Sequence, residues 1–186
     1  FRSSPKRHIV NKMELVDAIK RWCPECVVDF DYFHNRSIEY QLNFVCNASL
    51  LIAIHGGGLS HMVFMHESTK ETPTAAIEIL PYKYSCRQWY RWAAMTAGVR
   101  YFSWMNPDIK NTDPEYGDRG GRCHTGQAEC LSDECHDYLR DQRTTINLDK
   151  FKPGFMRVLK YIKGLTPFDE VDLSNQTQDY ADITYG

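Results

Sequence analysis

Apolar positions recur along this chain with two different periods, and the switches between them outline its elements. Leu15, Ile19 and Trp22 fall at helical spacing, with Val16 beside them. Ahead of them, Asn11-Lys12-Met13-Glu14 has the form of a capping box, with Asn11 as N-cap and Glu14 reaching back. A helix is predicted from about Lys12 to Trp22, and Pro24 helps to end it. Val27 to Phe33 alternates after its first residue and reads as a strand. Ser37 can cap a second helix whose apolar face is Ile38, Leu42 and Val45, closed by Asn47 and Ala48.

The next stretch, Leu50-Leu51-Ile52-Ala53-Ile54, is a short continuous apolar run and reads as a buried strand. It breaks at His55 and three glycines, and Leu59, Met62, Val63 and Met65 then suit a short helix. His66 to Pro73 is a polar turn, and 74–81 is a strand stopped by Pro81. Trp89 to Ala97 reads as helix with Gly98 as its C-cap, and Val99 to Trp104 as a further strand. Alternation of strand and helix argues for a parallel sheet with helices on both faces, an α/β Rossmann-like fold. After Trp104 the pattern dissolves. Residues 105–150 form an irregular, cysteine-bearing excursion with one helical turn near 133–141; a closing helix follows over 151–164, then an acidic tail over 165–186. Residues 1–104 are the expected nucleotide-binding core.

The chemistry concentrates where the first buried strand ends. A strand, a tight glycine loop and a helix start aim backbone N–H groups at one spot, and the helix dipole favours negative charge there. His55, Gly56, Gly57, Gly58, Leu59 and Ser60 are therefore candidates to cradle a phosphate or diphosphate. No Lys-Ser or Lys-Thr follows, so the loop is not a P-loop. The bland alternative is a strand–helix turn that needs glycine only for its geometry. In an open parallel sheet, ligands bind beyond the C-terminal strand ends, and Glu78 lies near that edge, where a carboxylate can accept from a ribose diol. Spacing alone equally allows a salt-bridged strand residue. Arg2 and Arg7, in a basic segment before the first helix, are candidates to grip phosphate oxygens, against the alternative of a solvated arm.

Composition narrows the classes. The formal net charge of −2 makes no general case for nucleic acid. The charge is uneven: residues 1–26 carry six Lys/Arg against three Asp/Glu, and residues 105–145 carry five against nine. No apolar run is long enough to cross a bilayer, and no signal-peptide pattern is present. The chain opens at Phe1-Arg2-Ser3 without an initiator Met, which reads as a piece of something longer. Seven cysteines accompany Asn-x-Ser/Thr sequons at Asn35, Asn47 and Asn175, a pairing that leans toward a secretory compartment. Cys23-Pro24-Glu25-Cys26 has knuckle or redox spacing, but Cys123, Cys130 and Cys135 supply no compact second pair, so a disulfide or two unrelated thiols is expected rather than zinc. Asp29-x-Asp31 has the spacing of a metal–nucleotide carboxylate pair, with both side chains on one strand face. Gly-x-Ser-x-Gly, His-Glu-x-x-His and kinase signatures are missing, which leaves hydrolase readings little support.

These residues resemble a known family. His55-Gly56-Gly57-Gly58-Leu59-Ser60-His61-Met62-Val63-Phe64-Met65, followed by Ala76-Ile77-Glu78-Ile79-Leu80-Pro81, is similar to the signature of glycosyltransferase family 61. There a His-Gly-Ala-Gly-Leu loop leads to a Phe-Met or Phe-Leu pair and a Val-Glu-hydrophobic strand. Arg2, Arg7 and Asn11 match its Arg…Arg…Asn lead-in, and Tyr90 to Ala93 with Gly98 to Trp104 is similar to animal members that transfer N-acetylglucosamine to proteins. The likeness is good over residues 1–104 and faint to about residue 164. Gly57 replaces the usual Ala, Lys12 stands where an acid is common, and His66–Pro73 replaces a shorter Pro-Pro-Gly turn.

The resemblance implies the C-terminal, donor-binding half of a GT-B glycosyltransferase. Its activity would be inverting transfer of N-acetylglucosamine or xylose from a UDP-sugar to a protein or glycan hydroxyl in the endoplasmic reticulum or Golgi lumen. The N-terminal half and a membrane anchor would lie upstream. Arg2 and Arg7 would neutralise the diphosphate, His55–Ser60 would cradle it, and Glu78 would hold ribose. No catalytic residue is assigned; His55 is the one candidate base, and Asp29 with Asp31 the one candidate metal pair. The rival expectation is a non-catalytic nucleotide-binding or interaction module that kept the fold.

Overall fold

A computed structural model describes residues 7–84, 89–113, 123 and 133–166 of the chain. The expected Arg2 contact, the sequon at Asn175, Cys86, Cys130 and the acidic tail from residue 167 lie outside them. The architecture is mixed α/β. Strands β1 (Leu50–Ile54), β2 (Ala75–Leu80) and β3 (Arg100–Met105) form a parallel sheet in that order, with Ala53 opposite Glu78 and Glu78 opposite Ser103. A second, two-stranded antiparallel sheet joins β4 (Thr112–Asp113) to β5 (Arg143–Thr144).

Parallel strands are covered on both faces, which is why β2 is buried at every position. One face carries Ile54, Ile77, Ile79, Phe102 and Trp104 against helices α1 (Lys12–Trp22) and α5 (Leu148–Ile162). The other carries Ala53, Ala76 and Tyr101 against a 3-10 helix (Gly57–Phe64) and helix α3 (Trp89–Thr96). Helix α2 (Ile38–Cys46) leads into β1, and its N-terminus is capped by Ser37, whose side chain accepts from the Tyr40 amide. Helix α4 (Asp133–Arg140) packs Tyr138 and Leu139 against Leu80 and Tyr84, forming a third core.

The three core strands and the helices between them match the sequence periodicity to within a residue or two. Gly98, at φ +67°, ends α3 as expected: its amide bonds to the Met95 carbonyl and the Val99 amide to Ala94, the Schellman pattern. Three expectations are corrected and one is sharpened. Residues 27–33 form no strand; Val27 is exposed, and β1 pairs only with β2, so alternation without a paired neighbour leaves an irregular segment. Ile38, assigned to an apolar face, is 63% exposed, because Val45 is the residue of α2 that reaches the core. The short helix expected after Gly56 is present as a 3-10 helix, with Leu59 and Met62 buried and Val63 and Phe64 exposed. Asn11 makes no side-chain cap to the α1 backbone; its Nδ2 donates to the Ile146 carbonyl and, at 3.5 Å, to Glu14 Oε2, and its Oδ1 accepts from the Ile146 amide.

Disulfides join Cys23 to Cys26 and Cys123 to Cys135, and Cys46 is the free cysteine among the described residues. The first pair sits at the C-terminus of α1, the end whose partial negative charge disfavours a thiolate. The bridge decides the expectation in favour of a disulfide over two unrelated thiols. Among the described residues no helix is long and apolar enough to cross a membrane.

Candidate functional site

The site begins with a rule of strand geometry. Side chains alternate faces, so Ala53, Glu78 and Ser103, which are register partners, share one face of the sheet. His55 lies two residues past Ala53, and Tyr101 two residues before Ser103, which puts both on that same face, diagonally either side of Glu78. The diagonal closes chemically. His55 Nδ1 is 2.5 Å from Glu78 Oε1, and the Tyr101 hydroxyl donates to Glu78 Oε2. His55 is 2% exposed and Glu78 is fully buried.

The network continues away from the sheet. Tyr84, on the turn after β2, brings its hydroxyl to 3.2 Å from His55 Nε2 and 3.0 Å from Nε2 of His136 on α4. His136 Nδ1 in turn lies 3.3 Å from Oδ1 of Asp137, whose side chain is 61% exposed. Tyr90 of α3 stands edge-on to the His55 ring at 5.1 Å. Burial holds its hydroxyl protonated above the ordinary tyrosine range, the Glu78 carboxylate adds to that, and Arg7 opposes it. Arg7 therefore acts within electrostatic reach of this cluster. Its guanidinium is paired with Asp141 at 3.1 Å.

Immediately after His55 the chain turns through Gly56, at φ +155° and ψ 177°, a region essentially reserved for glycine. Gly57 opens the 3-10 helix and is exposed, and a Cβ there would meet no atom within 4 Å. The departure from Ala at this position is thus sterically neutral, and the space over the loop is open. Ser60 Oγ donates back to the Gly57 carbonyl at 2.6 Å, and the Leu59 amide to Gly56 at 2.9 Å, which stiffens the turn.

Residues 1–71 match the Glycosyltransferase 61 family. The chain is 31% identical over 107 residues to the EGF domain-specific O-linked N-acetylglucosamine transferase of Gallus gallus, covering 55% of this chain and 18% of that protein. The Mus musculus protein of the same name is 31% identical over 110 residues, with 57% and 19% covered. The Pan troglodytes protein is 30% identical over 125 residues, with 63% and 22% covered. The chain spans about a fifth of the length of these curated relatives.

The stretch that matches family 61 contains Arg7 and the whole loop from His55 to Ser60. The structure brings Arg7, His55 and Glu78 to one region, at the C-terminal end of the parallel strands. It gives Glu78 different surroundings from those expected. Glu78 is not at an open edge where a ribose could reach it; both carboxylate oxygens are engaged inside the core. Asp29 and Asp31 lie on the irregular segment before α2. Asp31 accepts from the Tyr32 amide, the Tyr40 hydroxyl and Arg36, and Asp29 is exposed. Among the described residues no three His, Cys, Asp or Glu side chains cluster as metal ligands.

Tyr84, Tyr101 and His136 escaped the sequence reading. Tyr101 could have been found, since parallel register and strand parity put it on the Glu78 face. No local pattern joins Tyr84 to His136, which is 52 residues away.

Proposed function

We propose that this chain is the donor-binding half of an inverting, UDP-sugar-dependent glycosyltransferase of GT-B architecture, working in the lumen of the secretory pathway. The carrying observation is the open glycine turn at the C-terminal end of β1, laid directly on a buried His55–Glu78 pair within reach of Arg7. The family match, and relatives named as O-linked N-acetylglucosamine transferases, support sugar transfer and favour N-acetylglucosamine over xylose. The two disulfides and the exposed sequon residues Asn35 and Asn47 support the compartment.

In this reading the backbone of Gly56–Ser60 and the guanidinium groups of Arg2 and Arg7 hold the diphosphate. Their positive field stabilises the charge that grows on UDP as the glycosidic bond breaks. Glu78 acts through His55, fixing the ring against the loop, rather than by touching ribose. The acceptor, a protein or glycan hydroxyl, is supplied with the other half of the enzyme. No step is assigned to a metal, because Asp31 is already held by Arg36 and Tyr40.

The test is a thermal-shift and calorimetry panel on the 186-residue chain with UDP, UDP-N-acetylglucosamine, ATP and NAD. UDP and its sugar are expected to stabilise the chain, Arg7→Ala and His55→Ala to lose that affinity, and the chain alone to transfer no sugar. Preference for ATP or NAD, or unchanged UDP affinity in both variants, would sink the donor-site reading. Measurable transfer by the chain alone would refute the half-enzyme claim.

A further inference from the structure

His55 is usually the kind of residue one assigns to a phosphate, but its surroundings here suit a different guest. With Glu78 as a carboxylate, both of its oxygens can only accept. His55 Nδ1, 2.5 Å from Oε1, must then carry the hydrogen, as the Tyr101 hydroxyl does toward Oε2. In a neutral imidazole that leaves Nε2 with a lone pair. The Tyr84 hydroxyl, at 3.2 Å, donates to it, and Tyr84 in turn accepts from His136 Nε2 at 3.0 Å. With Glu78 a carboxylate and His55 a neutral ring, that order sets every hydrogen in the row. The groups facing His55 are Glu78 on β2, Tyr101 on β3, Tyr84 on the turn between β2 and α3, Tyr90 on α3, and His136 with Asp137 on α4.

A lone pair at Nε2 repels a phosphate oxygen and welcomes a hydroxyl. We propose that His55 Nε2 is a hydroxyl-accepting subsite, that the fully buried Tyr84 hydroxyl occupies it in this structure, and that a sugar or acceptor hydroxyl takes its place when the Tyr84 side chain moves out on binding. Tyr84 is carried on a tight turn, with its amide bonded to the Pro81 carbonyl and Lys83 beside it at φ +58°, a conformation that L side chains rarely adopt. In the exchange the O–H···N bond from Tyr84 to His55 breaks and one from the ligand hydroxyl forms, with no change of proton count; the row is cut at Tyr84, which keeps its contact with His136. His136 and Tyr101 are positioning residues in this scheme, since they reach the subsite only through Tyr84 and Glu78. The inference rests on the donor-site reading above for the identity of its ligand, and on the Glu78 contact alone for its chemistry.

The experiment is imidazole nitrogen NMR on histidine-labelled 186-residue chain, with UDP, UDP-N-acetylglucosamine, and UDP plus N-acetylserinamide, for the native chain and Tyr84→Phe. The native chain is expected to show His55 protonated at Nδ1 and bare at Nε2. Tyr84→Phe removes the competing hydroxyl but keeps the ring. The affinity of UDP-N-acetylglucosamine, or of N-acetylserinamide in the presence of UDP, should rise about fivefold, the factor one neutral hydrogen bond is worth, with the affinity of UDP alone unchanged. A merely structural Tyr84 would weaken all ligands together. A gain with UDP-N-acetylglucosamine identifies a donor-sugar hydroxyl, and a gain only with N-acetylserinamide an acceptor hydroxyl. A hydrogen on Nε2 in the native chain, or an Nε2 resonance unmoved by a ligand that demonstrably binds, overturns the subsite. Absence of any UDP binding with the Nδ1–H form intact instead overturns the donor reading and leaves the tautomer standing.

Discussion

Asn11 and Ile146 are 135 residues apart, and the side chain of one completes the backbone of the other. Asn11 Nδ2 donates to the Ile146 carbonyl at 2.9 Å, and Asn11 Oδ1 accepts from the Ile146 amide at 2.8 Å. This two-point clasp ties the start of α1 to the segment between β5 and α5, and so fixes the two helices that cover one sheet face. The expected N-cap role would have been local; the observed role is long-range.

The two roles make opposite predictions for aspartate. Asp is as good an N-cap as Asn. At the clasp it keeps the acceptor but sets a carboxylate against the Ile146 carbonyl. Asn11→Ala is expected to cost about 2–3 kcal/mol, two hydrogen bonds with a buried partner left short. Asn11→Asp should cost at least as much. Denaturant melts of both variants check this, and an aspartate variant as stable as the native chain would restore the capping role.

Gly98 meets two separate demands. Its φ of +67° closes α3, and an added Cβ would stand 2.5 Å from Cγ of Glu67. Glu67 is exposed and can rotate away, so the clash is relieved at little cost, whereas the backbone strain is not. Gly98→Ala is expected to lose about 1–2 kcal/mol. Gly98→Asn should lose less, because asparagine tolerates the left-handed region although it is larger. Equal losses in both variants, read from thermal melts, would mean that the contact with Glu67 dominates.

The Asp31 cluster gives a pH prediction with a definite sign. The hydrogen bond from the Tyr40 hydroxyl, at 2.5 Å, is the largest cause holding the Asp31 carboxyl below the usual aspartate range, aided by Arg36 and the Tyr32 amide. A carboxylate whose folded pKa is depressed stabilises the fold above its unfolded pKa, about 3.9, and loses that contribution as pH falls through the folded value. Tyr40→Phe should therefore raise the Asp31 titration midpoint and narrow the stability difference between acid and neutral solution. Carboxyl NMR titration reads the midpoint directly; no change on removing the hydroxyl would assign the shift to Arg36 instead.

How much of this was written in the sequence follows from how local each cause is. The strands at Leu50–Ile54, Ala75–Leu80 and Arg100–Met105 were legible because burial on both faces demands continuous apolar runs. The loop at His55–Ser60 was legible because Gly56 needs a conformation that other residues avoid. Residues 27–33 misled because alternation predicts a strand only if an edge accepts it, and β1 leaves that side unpaired. Glu78 was placed near the right strand end but on the wrong side of the protein surface. Its burial depends on Tyr101 and His55 converging from neighbouring strands, a property of register rather than of any one segment.

Asp141 links the proposed anion site to the fold, and its neighbours predict an asymmetry. Its carboxylate is 3.1 Å from Arg7 Nε and 2.9 Å from Arg140 Nε, and its carbonyl accepts from the Arg7 amide at 3.3 Å. The Arg7 and Asp141 side chains are only 17% and 11% exposed, so their attraction exceeds that of a surface pair. The Asp141 hydrogen bond is the largest cause holding the Arg140 guanidinium above its ordinary range. Arg7→Ala leaves Asp141 with Arg140 still bound to it. Asp141→Ala removes the carboxylate that both arginines share. The aspartate variant should therefore be the less stable of the two, by about 1 kcal/mol, the scale of a partly buried pair. A double-mutant cycle measures the Arg7–Asp141 coupling itself. UDP binding separates structure from function within the same set: Arg7→Ala should lose affinity while keeping most of its stability. Affinity that merely tracks stability across both variants would reduce Arg7 to a clasp on the segment after α4.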